Sequence, residues 1–155
     1  MAITFTNQNV NFSLKNKMLI KKWLKQLVES YGKRMGDVAY SFCDDDYILD
    51  VNRTYLDHDT YTDIITFDYV EDNLISGDIL ISIERVAENA AQFGVTFEQE
   101  LCCVLSHGVL HLLGFKDKSK RDAATMRNKE EEALKLLETV RKGDCSTWNT
   151  IVYHR

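Results

Sequence analysis

Residues 96–117 read T-F-E-Q-E-L-C-C-V-L-S-H-G-V-L-H-L-L-G-F-K-D, and the rest of the chain can be laid out from this stretch. Thr96 is a helix-capping residue and Gln99 stands at the third helical position, the pairing that satisfies two otherwise unbonded N–H groups at a helix start. An apolar run to Leu113 follows, and Gly114 lies just beyond it, where a residue in the left-handed conformation ends a helix. The helix so delimited carries His107 and His111 four residues apart, which puts both rings on one face at adjoining turns.

Working outward, Glu84–Phe93 and Lys120–Arg141 read as helices on either side of it. Upstream lie two β-rich runs, Thr62–Val70 and Asp78–Ile83, separated by the polar loop E-D-N-L-I-S-G. Val38–Cys43 alternates as a strand, and D-D-D at 44–46 caps a helix holding Ile48, Leu49, Val51, Asn52, Tyr55 and Leu56. Ala2–Thr6 is a further strand. Lys15–Tyr31 is a helix with Leu14, Met18, Leu24, Leu27 and Val28 near helical spacing and lysines opposite, and Gly32 and Gly36 bracket the turn after it. The expected architecture is α+β: a small mixed sheet of about four strands packed with about five helices, which cover one or both of its faces.

With 155 residues and 45% hydrophobic content the chain can bury a sizeable core, and no repeat, proline or Gly/Ser-rich linker marks a boundary. Residues 1–155 are therefore read as a single domain. No run of about 18 apolar residues appears and the N-terminus lacks the pattern of a signal peptide, so no membrane span and no export are expected. Cys102 and Cys103 are adjacent in an apolar stretch while Cys43 and Cys145 stand apart, which suits reduced thiols better than a disulfide framework.

The net charge of −5 argues against a generic nucleic-acid binder. Its distribution weakens that exclusion: residues 1–35 hold seven Lys/Arg against one acid, 36–100 hold two against sixteen, and 101–155 hold ten against seven. Basic charge gathers at both ends around an acidic middle.

Two histidines at this spacing are ligands suited to one ion, although a bare H-x-x-x-H is more often a pair of core or boundary residues. The flanking residues shift that balance. Burying two imidazoles in so apolar a stretch is costly without partners, and the turn at Gly114 brings Asp117 back towards them. His107, His111 and Asp117 would then bind one divalent ion, zinc first, and leave an open position, as in catalytic rather than structural zinc sites. Zinc peptidases carry H-E-x-x-H, whose glutamate activates the bound water. Here that position is Gly108, so the general base of peptide hydrolysis is missing.

The stretch H-G-V-L-H-L-L-G-F, preceded by T-D-I-I-T-F at 62–67 and G-D-I at 77–79, resembles the YbeY family of rRNA-maturation endoribonucleases. Order and intervals agree over roughly residues 40–130. The resemblance implies a small α+β metalloprotein with one zinc held by three ligands, acting on single-stranded RNA at the 3′ end of small-subunit rRNA, in ribosome quality control and in the cytoplasm. Two positions depart from the family pattern. The third ligand is usually His, where this chain has Asp117, with Lys116 in place of the family's Asp. The family's catalytically important Arg aligns with Leu56, and Arg53, one helical turn earlier on the same face, is the candidate substitute.

Lys116, Lys118, Lys120 and Arg121 form a basic cluster beside Asp117, suited to RNA phosphates, and Lys116 and Lys118 join Arg53 as candidates for stabilising developing charge. The lysines at 15, 17, 21, 22 and 25 form a second basic face, read as solvated surface. Cys103, four residues before His107, is read as a packed thiol rather than a fourth ligand. His58 is read as a loop histidine, His154 as part of a frayed end, Asp78 as structural, and Asp63 as equally suited to structural or site roles. Rival readings are a metallohydrolase of another substrate class and a non-catalytic ribosome-assembly factor.

Overall fold

Side chains alternate across a strand, and in the strands Arg34–Cys43, Ile64–Asp68 and Leu74–Ser82 the alternation sends the two faces into different apolar clusters. A computed structural model describes residues 2–56 and 62–143. The elements are β1 (Ala2–Gln8), α1 (Lys17–Glu29), β2 (Arg34–Cys43), α2 (Asp45–Leu56), β3 (Ile64–Asp68), β4 (Leu74–Ser82), α3 (Ile83–Phe93), α4 (Phe97–Leu112) and α5 (Lys120–Gly143). The sheet order is β1-β2-β4-β3, with β1, β2 and β4 parallel and β3 antiparallel at the edge. A mixed four-stranded sheet with five helices, an α+β fold, is what the described residues form.

Val38, Tyr40 and Phe42 of β2 and Ile75, Ile79 and Ile81 of β4 enter the larger cluster, with α1, α4 and α5. Cys43, Ile65 and Leu80 point the other way, onto Ile48 and Val51 of α2. Two buried polar side chains tie the layers: Trp23 Nε1 donates to the Ala133 carbonyl at 2.7 Å, and the Tyr40 hydroxyl donates to the Leu105 carbonyl at 2.8 Å. Burial and the nearby Asp44 and Asp45 push the Cys43 thiol up to about 12. Cys43, Cys102 and Cys103 are all buried, and none of them is joined in a disulfide among the described residues.

Local signals held at the helix starts. The Thr96–Gln99 capping box is present at α4, and the Asp44 carboxylate accepts from the Tyr47 N–H at 2.8 Å ahead of α2. Other boundaries moved. The turn after α1 uses Gly32, at φ 74°, whereas Gly36 is a buried residue inside β2 beside a register shift between Met35 and Val38. Most of the expected loop at 71–77 is strand: Asp72 and Asn73 make the turn, and β4 starts at Leu74 because pairing with β2 buries Ile75. Met18 is 79% exposed, since the buried face of α1 follows Ile20, Trp23, Leu24 and Leu27 instead. No helix among the described residues is long and apolar enough to cross a membrane.

Helix α4 approaches the sheet closely enough to require glycine on both sides of the contact. A Cβ at Gly108 would lie 2.9 Å from Ile79 Cδ1 and 3.2 Å from Ile64 Cδ1, and one at Gly77 would lie 2.9 Å from Leu112. These glycines belong to the two short motifs H-G-V-L-H and G-D-I, and the packing explains them. The position where a peptidase carries glutamate faces a wall of isoleucine.

Candidate metal centre

The face of α4 adjoining that contact carries His107 and His111, whose rings stand 4.5 Å apart between centroids and nearly perpendicular. The helix ends in a left-handed cap: Gly114, at φ 105°, donates to His111 O and Phe115 donates to Leu110 O, which satisfies two terminal carbonyls and reverses the chain. The reversal brings Asp117 back. Its Oδ2 lies 3.2 Å from His107 Nε2 and 3.3 Å from His111 Nε2. Ligand atoms of all three residues lie within 4.8 Å of one another, and each side chain is only partly buried.

Sequence reasoning missed Glu130. It sits on α5 with 4% of its surface exposed, and its Oε2 lies 2.6 Å from His107 Nδ1. A signal was present: Met126, Glu130, Ala133, Leu134 and Leu137 share the buried stripe of α5, so the glutamate interrupts an apolar face. Burial alone would lower the pKa of His107, but the Glu130 hydrogen bond and the charges of Glu130, Asp63 and Asp117 outweigh it and raise the value. His111 moves the other way. Burial and the neighbouring His107 lower its pKa against the pull of Asp117 and of a hydrogen bond to the Phe115 backbone.

These residues border a cavity of about 650 Å³ that opens between α2, β3 and α4, with Asn52, Leu56, Asp63, Thr66 and Lys118 also on its walls. Lys118 therefore faces the cavity. Lys116 and Arg53 are exposed and outside its lining, so the structure does not bring them to the histidines. Leu56 lies on the cavity wall. Cys103 is packed in the core, Asp63 lines the cavity, and Asp78 of β4 is paired with Ala39 of β2 and Phe67 of β3 and is hydrogen-bonded by Tyr69. His58, Cys145 and His154 lie outside the described residues.

The donor chemistry suits a divalent ion. Two imidazole Nε2 atoms and a carboxylate oxygen converge, while the cavity beside them leaves room for further ligands. What these residues can do together is hold one ion at the wall of an open cleft lined by both polar and apolar side chains.

Residues 2–138 match the family model described as Endoribonuclease YbeY. A curated protein of that name from Flavobacterium johnsoniae is 50% identical over 131 residues, covering 84% of this chain and 94% of that protein. One from Porphyromonas gingivalis is 45% identical over 148 residues, covering 96% and 98%. The solution structure of TM1509 from Thermotoga maritima superposes with a TM-score of 0.63 at 28% identity, covering 96% of this chain and 97% of that one. With a family model matched across both halves of the fold, and relatives near half identical over most of their own length, the chain belongs to the YbeY family.

Proposed function

We propose that this chain is a metal-dependent endoribonuclease that cleaves single-stranded RNA in maturing the 3′ end of 16S rRNA and in ribosome quality control. On this reading residues 1–155 act as one domain in the cytoplasm, with the ribosomal small subunit as partner and one zinc ion held by His107, His111 and Asp117. The observation that carries it is the convergence of two Nε2 atoms on one carboxylate oxygen at the wall of an open cavity. The names of the relatives supply the substrate class.

When bound, a divalent ion supplies Lewis acidity to a phosphodiester and lowers the pKa of water at its open position. The chain's own groups prepare that centre. His107 and His111 bind through Nε2, and Asp117 contributes an oxygen and one negative charge. Lys118, on the cavity wall, holds a phosphate and offsets charge that develops during cleavage. Lys116 extends the basic rim, and Arg53, exposed one turn before Leu56, meets a longer strand that runs past the cavity. Gly108 leaves no room for a peptidase glutamate, which favours phosphodiester over peptide chemistry.

The test combines metal analysis with cleavage of an RNA carrying the small-subunit 3′ end. Near one zinc per chain and cleavage lost in Asp117→Ala are expected. Purified protein without stoichiometric metal, even after reconstitution, sinks the reading, and so does cleavage unchanged by the substitution.

A further inference from the structure

Helix α5 buries Met126, Ala133, Leu134 and Leu137, and a carboxylate among them loses its hydration with no gain in packing. Glu130 nevertheless sits there. What compensates is a short contact across 23 residues of sequence, Oε2 to His107 Nδ1 at 2.6 Å, at the close end for a charge-assisted hydrogen bond.

The direction of that bond has a consequence at the far side of the ring. An ionised carboxylate can only accept, so Glu130 at 2.6 Å holds the neutral imidazole proton on Nδ1 in preference to Asp117, 3.2 Å from Nε2, and leaves the Nε2 lone pair for an ion. Nε2 is the atom that faces Asp117 Oδ2 and the cavity. His111 is held differently, through the Phe115 backbone, and among the described residues no carboxylate outside the ligand group pairs with its ring. A backbone group orients a ring. A buried carboxylate orients it and also strengthens the opposite nitrogen as a donor.

We infer that Glu130 is a positioning residue, which fixes the ring and the proton of His107 so that Nε2 is presented to the ion. The inference rests on the reading of His107 as a ligand, and it extends the site from α4 and its following turn to a third element, α5. It also differs from a plain tie between two helices, which would hold their packing without selecting a nitrogen.

The experiment uses the full chain, with Glu130→Gln to keep an accepting oxygen and lose the charge, and Glu130→Met to lose both at similar volume. Long-range ¹⁵N–¹H correlation on metal-free wild type, above the imidazole titration range, should show His107 protonated on Nδ1. Zinc affinity, read by competition with a chromophoric chelator, should fall about 10- to 100-fold in Glu130→Met, with Glu130→Gln between it and wild type. Circular dichroism checks that the variants fold. An Nε2-protonated His107 in wild type overturns the inference, and so does zinc affinity within about twofold of wild type in Glu130→Gln when a folded Glu130→Met also matches. If Glu130→Met fails to fold, the wild-type tautomer and Glu130→Gln decide. A wild type that takes up no zinc removes the ligand assignment itself, an outcome distinct from uptake that ignores Glu130.

Discussion

The two faces of α4 are built on opposite rules. Towards the sheet, Gly108 meets Ile79 and Ile64 and Leu112 meets Gly77 with no room for an added methyl, and the polar tie there, from the Tyr40 hydroxyl to the Leu105 carbonyl, is fully paired. Towards α5 and the Asp117 turn, His107 and His111 stay 18% and 25% exposed, and each ring is engaged on both nitrogen-bearing sides. Among the described residues no buried side-chain nitrogen or oxygen lacks a partner. The lesson is a division of labour within one helix. Close packing on one side fixes where the backbone of the two proposed histidine ligands stands, which a loop could not do as tightly, and leaves the other side open.

The comparison breaks most visibly at Gly108. The substitution Gly108→Glu would complete the H-E-x-x-H pattern on paper, but it drives a carboxylate into Ile79 and Ile64 and should cost at least about 3 kcal/mol. Denaturant unfolding reads that loss, and a stable variant with new peptidase activity would overturn the picture of a closed face. On the open side the reverse is expected: Asp117→Ala lowers RNA cleavage on the order of 100-fold or more, beyond what loss of an outer partner does. Metal-free stability should fall by no more than about 1 kcal/mol, the scale of a lost, partly exposed polar contact. Lys118→Ala has a smaller effect, a few-fold weaker RNA binding with the slope of log affinity against log salt reduced by about 0.7. An unchanged salt slope would remove Lys118 from the phosphate contact.

The smallest effect separates the two histidines. Protonation of His107 is favoured by folding, so its contribution is full below the ordinary value of 6.5 and is lost as pH rises through the raised one. His111 has the lowered value, so its protonation opposes folding, with no penalty above 6.5 and a growing one as pH falls below it. In metal-free wild type the two trends oppose each other. In His111→Ala the His107 trend stands alone, and urea stability should rise on going from pH 8 to 6 relative to wild type. Parallel pH profiles for the two proteins would contradict the opposed shifts.

Much of α4 and its site was legible because the signals are local. A capping box, an apolar run, two histidines one turn apart and a terminating glycine all lie within a few residues of the groups they control. The strand boundaries were less legible. Gly36 looks like a turn residue in sequence, and only pairing with β4 makes it an interior strand position. Met18 looks apolar enough for the core, yet Trp23 and its neighbours set the buried face of α1 and leave Met18 outside it. Glu130 was hidden for the same reason at greater range. Its partner lies 23 residues away on another helix, and within its own helix it reads as one more acid in K-E-E-E.

The Gly114 reversal also bears on how the protein unfolds. It places all three proposed ligands within eleven consecutive residues, so gathering them closes only short loops of chain. A denatured molecule keeps that segment intact and can chelate an ion through it, at reduced affinity. Because an ion stabilises a fold only by its preference for the native state, its effect on the melting temperature here will be less than its native affinity suggests. The same short chelating segment can capture its ion before the long-range strand pairing of the sheet is complete.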